Sequence, residues 1–272
     1  MKKTKPVTII SVSILISLAL VSGCSKPIVS DEESKFNIRI ATWNIRGYPE
    51  KQQEYRDWFH QQLEKMSPDI LCIQEIANQD KVNQFLASEN RFREAAFTDS
   101  SDSQDNAIFC TGSIEMEDIP DPFGFQHPAQ TAYVSCGGFD AIIVTVHLSW
   151  TDITKREQEK MLLKNVVLEA LKKDPDVIIA GDFNTEEEGI IQLAESIGMV
   201  VMVPAGQDGA GTTHAGNRYD HFLISPDLAN EEALSCWIVT FAGADLETAK
   251  EVSDHLPVLT LFRTNLRYKD RQ

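Results

Sequence analysis

A chain of 272 residues with 41 acidic and 25 basic side chains carries a formal net charge of −16. Such acidity works against holding nucleic acid or anionic lipid on a basic surface, although bound divalent cations reverse the field locally. No Walker loop, Gly-rich dinucleotide fingerprint or Ser/Cys nucleophile motif occurs, which leaves nucleotide-binding and covalent acyl chemistry without a carrier.

The N-terminus reads as a targeting segment. Lys2, Lys3 and Lys5 precede an apolar run, Val7 to Val21, that is too short for the roughly 20 apolar residues of a membrane span. Val21-Ser22-Gly23-Cys24 closes it with small residues and a cysteine, the pattern of a bacterial lipoprotein signal. Residues 1–23 are therefore expected to be removed and Cys24 lipidated; the alternative is an uncleaved N-terminal anchor, and both readings place the rest of the protein outside the cytoplasm on a membrane. Ser25 in place of an aspartate favours the outer membrane if the cell is Gram-negative. Residues 24–35 read as a polar tether, 36–264 as one domain, and 265–272 as a tail. Without the leader the net charge falls to −19, because three lysines leave with it.

Phe36 to Trp43 alternates with period two, as a half-buried strand should. Tyr55, Trp58, Phe59, Leu63 and Met66 recur at helical spacing over 51–66, and Ser67-Pro68 stops the helix. Asp69 to Ile76 predicts a second strand and Asn78 to Ser88 a second helix. Glu89 to Gln130 is the least regular stretch, with strand candidates at 106–110 and, just after it, 131–136. Gly137-Gly138 predicts a hairpin into 141–148. The longest helix is predicted over 154–172, with Met161, Leu162, Val166, Leu168 and Leu171 on its apolar side. Val177 to Ala180 reads as a fully buried strand, followed by strands at 219–224, 236–241 and 256–262. Strands spread along the chain predict two packed sheets flanked by helices. Besides Cys24 the cysteines are Cys72, Cys110, Cys136 and Cys236, which match no zinc spacing and could be bridged or free.

Polar residues recur where these strands begin or end: Asn44, Glu75, His147, Asp182, Asn184, Asp220 and the Asp254-His255 pair. One carboxylate at a strand end is ordinary turn chemistry, but so many, each joined to a buried strand, point to a shared cleft. Carboxylates suit a hard cation such as Mg²⁺ or Mn²⁺, a histidine held by a carboxylate can activate water, and a second can meet phosphoryl oxygens. The cluster thus points to metal-assisted phosphoester hydrolysis.

Six strings, ATWNIRG (41–47), DILCIQEI (69–76), VTVHLSW (144–150), VIIAGDFNT (177–185), RYDHFLIS (218–225) and SDHLPVL (253–259), resemble in order and spacing the motif series of the endonuclease/exonuclease/phosphatase superfamily. The resemblance implies a four-layer α/β sandwich of two mostly antiparallel sheets. It implies that Asn44 and Glu75 belong to the metal and phosphate site, with Asp254 supporting the metal region. Asp182 and Asn184 would orient the attacking water, His255 held by Asp220 would be the base, and His147 would meet the phosphate or act as acid. By the resemblance, His147 argues against the abasic-site repair branch, while Thr212-Thr213, the Tyr219-Asp220 pair and SDHLPV look closer to the deoxyribonuclease I-like branch. There Asp105 would pair with His147. The resemblance places a phosphate-gripping arginine before proline where this chain has His127-Pro128, so His127 would substitute more weakly or the contact would be lost, and no tyrosine occurs over 100–106 to meet a DNA groove. The expectation is a monomeric nuclease acting on DNA or RNA. The alternatives are a phospholipase C-like or sphingomyelinase-like diesterase, a phosphomonoesterase, or a non-catalytic binding lipoprotein.

Overall fold

The computed structural model describes residues 37–48, 53–100, 104–120, 124–202, 204 and 210–264. The leader, Cys24, the tether and the C-terminal tail lie outside them. In chain order the elements are β1 (Asn37–Tyr48), α1 (Gln53–Met66), β2 (Ile70–Ile76), α2 (Gln79–Ser88), β3 (Phe92–Phe97), β4 (Asp105–Thr111), β5 (Glu115–Ile119), β6 (Gln130–Cys136), β7 (Phe139–His147), α3 (Ile153–Leu171), β8 (Val177–Asp182), α4 (Glu187–Ile197), β9 (Val200–Met202), β10 (Asp220–Ile224), α5 (Pro226–Glu231), β11 (Ala233–Ile238), α6 (Ala244–Val252) and β12 (Val258–Arg263).

Two six-stranded sheets form, in the orders β11-β12-β1-β2-β4-β3 and β5-β6-β7-β8-β10-β9. Each has one parallel pair at its centre, β1 with β2 and β7 with β8, and antiparallel pairs elsewhere. A parallel pair needs a crossover, and α1 and α3 supply the two. The connectivity of the first sheet therefore recurs in the second, although no repeat shows in the sequence.

Three apolar layers hold the sandwich. The central one joins facing sheets, with Ile40, Ile70 and Ile108 against Val134, Ile143, Ile178 and Phe222. One outer layer packs Trp43, Ile73 and Phe109 under Phe59, Leu63, Val82, Phe85 and Val252 of α1, α2 and α6. The other packs Val144, Ile179 and Leu223 under Leu163, Val167, Ile190 and Leu193 of α3 and α4. Cys72, Cys110 and Cys236 are buried free thiols of the central layer, and Cys136 is a half-buried one. Burial pushes the thiols of Cys110 and Cys236 up to about 12, as inert packing cysteines.

Two expectations are corrected. The irregular stretch holds β3 and β5 as well as β4, and both additions are edge strands with outward charges: Arg93 and Glu94 in one, Glu115, Glu117 and Asp118 in the other. Edges of this kind discourage stray pairing, at the cost of the alternation that reveals a strand. The buried face of α3 is also not the one expected. Glu159, Leu163, Val166, Val167 and Ala170 face inward, whereas Met161, Leu168 and Leu171 are exposed.

Candidate active site

The parallel strands β1, β2, β7 and β8 end at one edge of the sandwich, where the antiparallel β4 and β10 begin. Asn44, Glu75, His147, Asp182 and Asp220 are thereby gathered from both sheets. The Asn44 amide Nδ2 donates to Glu75 Oε1 at 3.0 Å and to Asp182 Oδ2 at 3.1 Å, joining a carboxylate of each sheet. Asn44 Oδ1 accepts from the Arg46 amide at 3.1 Å, which fixes which end of the side chain faces the carboxylates. Below, Gln74 Nε2 donates to Thr145 Oγ1 at 2.8 Å and Thr42 Oγ1 at 3.1 Å, a buried polar link between the sheets.

Local backbone geometry serves the same end. Glu75 adopts φ +61 where β2 slips register against β4, a left-handed conformation costing about 1–3 kcal/mol in a residue with a long side chain. Gly181 has φ +144, and a Cβ there would lie 2.0 Å from the Val146 carbonyl oxygen. Glycine alone lets β8 run this close to β7, which sets Asp182 opposite His147 in register.

His255 reaches the cleft from the segment before β12. Its Nδ1 lies 2.8 Å from Asp220 Oδ2 and its Nε2 3.5 Å from Asp182 Oδ2. Ser253 Oγ accepts the His255 amide at 3.0 Å and donates to the Asn44 carbonyl at 2.6 Å, and Trp43 Nε1 donates to the His255 carbonyl at 3.0 Å. Thr212 Oγ1 accepts the Asp220 amide at 3.0 Å. Burial works to lower the His255 pKa, but Asp220, then Asp182 and Asp254, outweigh it and raise it to about 10. Burial raises the Asp220 carboxyl pKa by more than the neighbouring His255 and the hydroxyl of Thr212 lower it.

The second histidine faces the same oxygens. His147 Nε2 lies 3.7 Å from Asp182 Oδ2 and 3.9 Å from Glu75 Oε1. Its ring stacks on that of His127, with centroids 4.7 Å apart and planes 16° apart.

Asp182, Asp220 and His255 are buried, with ligand atoms all within 4.8 Å of one another. Asp220 Oδ2 is engaged by His255 Nδ1, and Asn44, expected at the metal, turns its NH₂ to the carboxylates because its oxygen accepts the Arg46 amide, so the oxygens suited to a hard cation are those of Glu75 and Asp182. A donor set of carboxylates with no cysteine fits Mg²⁺ or Mn²⁺, and such a cation relieves the repulsion of the gathered carboxylates.

Residues 41–255 match the model of the Endonuclease/Exonuclease/phosphatase family. The chain belongs to that family. Solved structures agree with the endonuclease/exonuclease/phosphatase fold. The human Nocturnin catalytic domain with bound sulfate anion is 20% identical with a TM-score of 0.64, covering 84% of this chain and 95% of its own. D. rerio TDP2 complexed with single strand DNA product is 19% identical, TM-score 0.64, covering 84% and 99%. The endonuclease/exonuclease/phosphatase from Bacteroides vulgatus is 17% identical, TM-score 0.63, with the same coverage of 84% and 99%. A search of curated protein sequences returned no match.

Within this fold the residues expected from sequence divide clearly. Asn44, Glu75, His147, Asp182, Asp220 and His255 converge. Asn184 sits at φ +47 beside them, and its amide donates to the Leu148 carbonyl at 2.8 Å, tying the exits of β7 and β8 together. Asp254 is exposed at the rim, where its carbonyl holds the His214 amide at 2.9 Å and its charge raises His255. Asp105 is buried, but its carboxylate accepts the amide and hydroxyl of Ser100. His147 Nδ1 has no hydrogen-bond partner, so the Asp105–His147 pair is not formed. His127 is 2% exposed with its ring flat on His147, unlike an arginine reaching out for phosphate.

Glu159 was missed. Fully buried on α3, it accepts the Gln126 amide at 2.8 Å with one oxygen and the Ser149 amide at 2.8 Å with the other. It thus clamps the segments that carry His127 and His147. Its sequence signal is a carboxylate four residues before Leu163, on the buried stripe.

Proposed function

We propose that this chain is a divalent-cation-dependent phosphodiester hydrolase, a nuclease that works outside the cytoplasm on a lipidated Cys24 anchor, as a monomer. The observation that carries the chemistry is His255, held at Nδ1 by Asp220 and facing Asp182 with Nε2. When neutral, Nε2 accepts the proton of an attacking water, and Asp220 stabilises the imidazolium that results. Asp182, anchored by the Asn44 amide, bounds the space that this water occupies. His147, on the other side of Asp182, donates from Nε2 to a phosphoryl oxygen as negative charge builds there. Glu75 and Asp182, both held by the Asn44 amide, would hold Mg²⁺ or Mn²⁺, which would supply Lewis-acid polarisation of the phosphoryl group. The single-stranded DNA product in the D. rerio TDP2 structure supports the nuclease reading.

The test is a panel of DNA, RNA, sphingomyelin, phosphoinositides and a chromogenic diester, with and without chelator. The expected result is hydrolysis of nucleic acid that chelator abolishes and Mg²⁺ or Mn²⁺ restores. Full turnover in excess chelator would sink the cation dependence, and hydrolysis of lipid alone would sink the nuclease reading.

A further inference from the structure

We propose that Trp150 is a stacking platform for an unpaired nucleobase of the substrate, placed at the rim of the cleft by a rigid loop. This rests on the nuclease reading and adds what holds the substrate there. Trp150 is 68% exposed, whereas Trp43 and Trp58 are buried and Trp237 is half-buried. It follows His147 by three residues, which limits the separation of their Cα atoms to about 11 Å.

The segment between them is fixed on every side. The Leu148 amide donates to the Asp182 carbonyl at 2.9 Å, and the Leu148 carbonyl accepts Asn184 Nδ2 at 2.8 Å. The Ser149 amide is held by Glu159, and Arg156 Nη1 donates to the Ser149 and Trp150 carbonyls at 3.1 and 3.2 Å. A floppy loop could fold its indole onto the protein; this one holds it in water. An aromatic ring on a pre-ordered backbone loses little further freedom on binding, which is the usual property of a recognition residue.

The local charge favours a nucleic-acid strand as the occupant. A chain of net charge −16 gains little from a polyanion over most of its surface, so uncharged stacking must supply affinity. Beside Trp150, however, α3 carries Lys155, Arg156, Lys160 and Lys164; Lys160 is paired with Glu157 at 2.8 Å and Glu159 is buried, so Lys155 is the lysine near the loop that is left for a phosphate. A strand crossing the cleft can place a base on Trp150 and a neighbouring phosphate near Lys155.

The experiment compares wild type, Trp150→Ala and Trp150→Phe on a single-stranded oligonucleotide and on its abasic counterpart of equal length, with Mg²⁺. Trp150→Ala should lower the ratio of kcat/KM for the base-bearing over the abasic strand about tenfold, mainly through KM, and Trp150→Phe should restore most of it. An unchanged ratio in Trp150→Ala, with wild type active, overturns the platform and leaves the nuclease reading standing. Wild type inactive on both strands overturns both. A third arm follows sedimentation with phosphatidylcholine–sphingomyelin vesicles. Wild-type partition lost in Trp150→Ala would assign the indole to a lipid surface and overturn the base platform.

Discussion

His255 is an acid before it is a base. Three carboxylates surround it, and they raise its pKa from the ordinary 6.5 to about 10. The difference arises because Asp182 and Asp254 add to the partner, Asp220, that the motif makes visible. A histidine pKa raised on folding adds stability that is complete below the ordinary 6.5 and is lost as pH rises through about 10. The metal-free protein should therefore show no His255 titration between about pH 6 and 8 by ring-proton NMR, and Asp220→Asn should bring the midpoint down. A wild-type midpoint near 6.5 would contradict the ion pair. The ring becomes a base at neutral pH only where positive charge offsets these carboxylates. Asn44, Glu75, Asp182 and Asp220 were legible because each ends or opens an apolar strand. The Asp105–His147 pair was misread because a turn serine, Ser100, competes for the carboxylate at short range.

The elements were read best where they are buried on one pattern. β2, β7 and β8 are apolar runs and stand close to their expected bounds, whereas edge strands β3 and β5 carry charge outward and left no alternation to read. Helix α3 was placed correctly but turned wrongly. Met161, Leu168 and Leu171 outweigh Val166 and Ala170 in apolar size, while the true inward stripe includes a glutamate. That glutamate is where the helix acts on the site. Glu159→Gln exchanges one acceptor oxygen for an NH₂ group, leaving the Gln126 or Ser149 amide buried without a partner. The expected loss is about 1–3 kcal/mol in denaturant unfolding, accompanied by a lower kcat as the His127–His147 stack loosens. Stability and kcat both unchanged would mean that the clamp does not set the stack.

At the scale of the molecule, the two sheets each bring a parallel pair to the same edge, so six polar residues from both halves of the chain meet over a largely apolar middle layer crossed by the Gln74–Thr145 link. Motif order carried this architecture; the recurrence of one connectivity in two sheets was invisible, because packing constrains burial and leaves residue identity free. No helix among the described residues is long and apolar enough to cross a membrane. The proposed reading places membrane attachment on the lipid at Cys24. Cys24→Ala should leave the precursor unprocessed and unlipidated, read by mass and membrane fractionation. Unchanged processing and partition in that variant would refute the anchor.

The most direct measurement is kcat for His255→Ala, Asp220→Asn and their combination with Mg²⁺ on the substrate that the panel identifies. Removing the base should cost about 10²–10⁴-fold, Asp220→Asn less, and the two together far less than the product of their separate effects. Such a result, in variants that keep the wild-type circular dichroism, is what a His255–Asp220 unit requires. If His255→Ala keeps more than about a tenth of wild-type kcat, a barrier change below roughly 1.4 kcal/mol, water is activated elsewhere and the central claim fails.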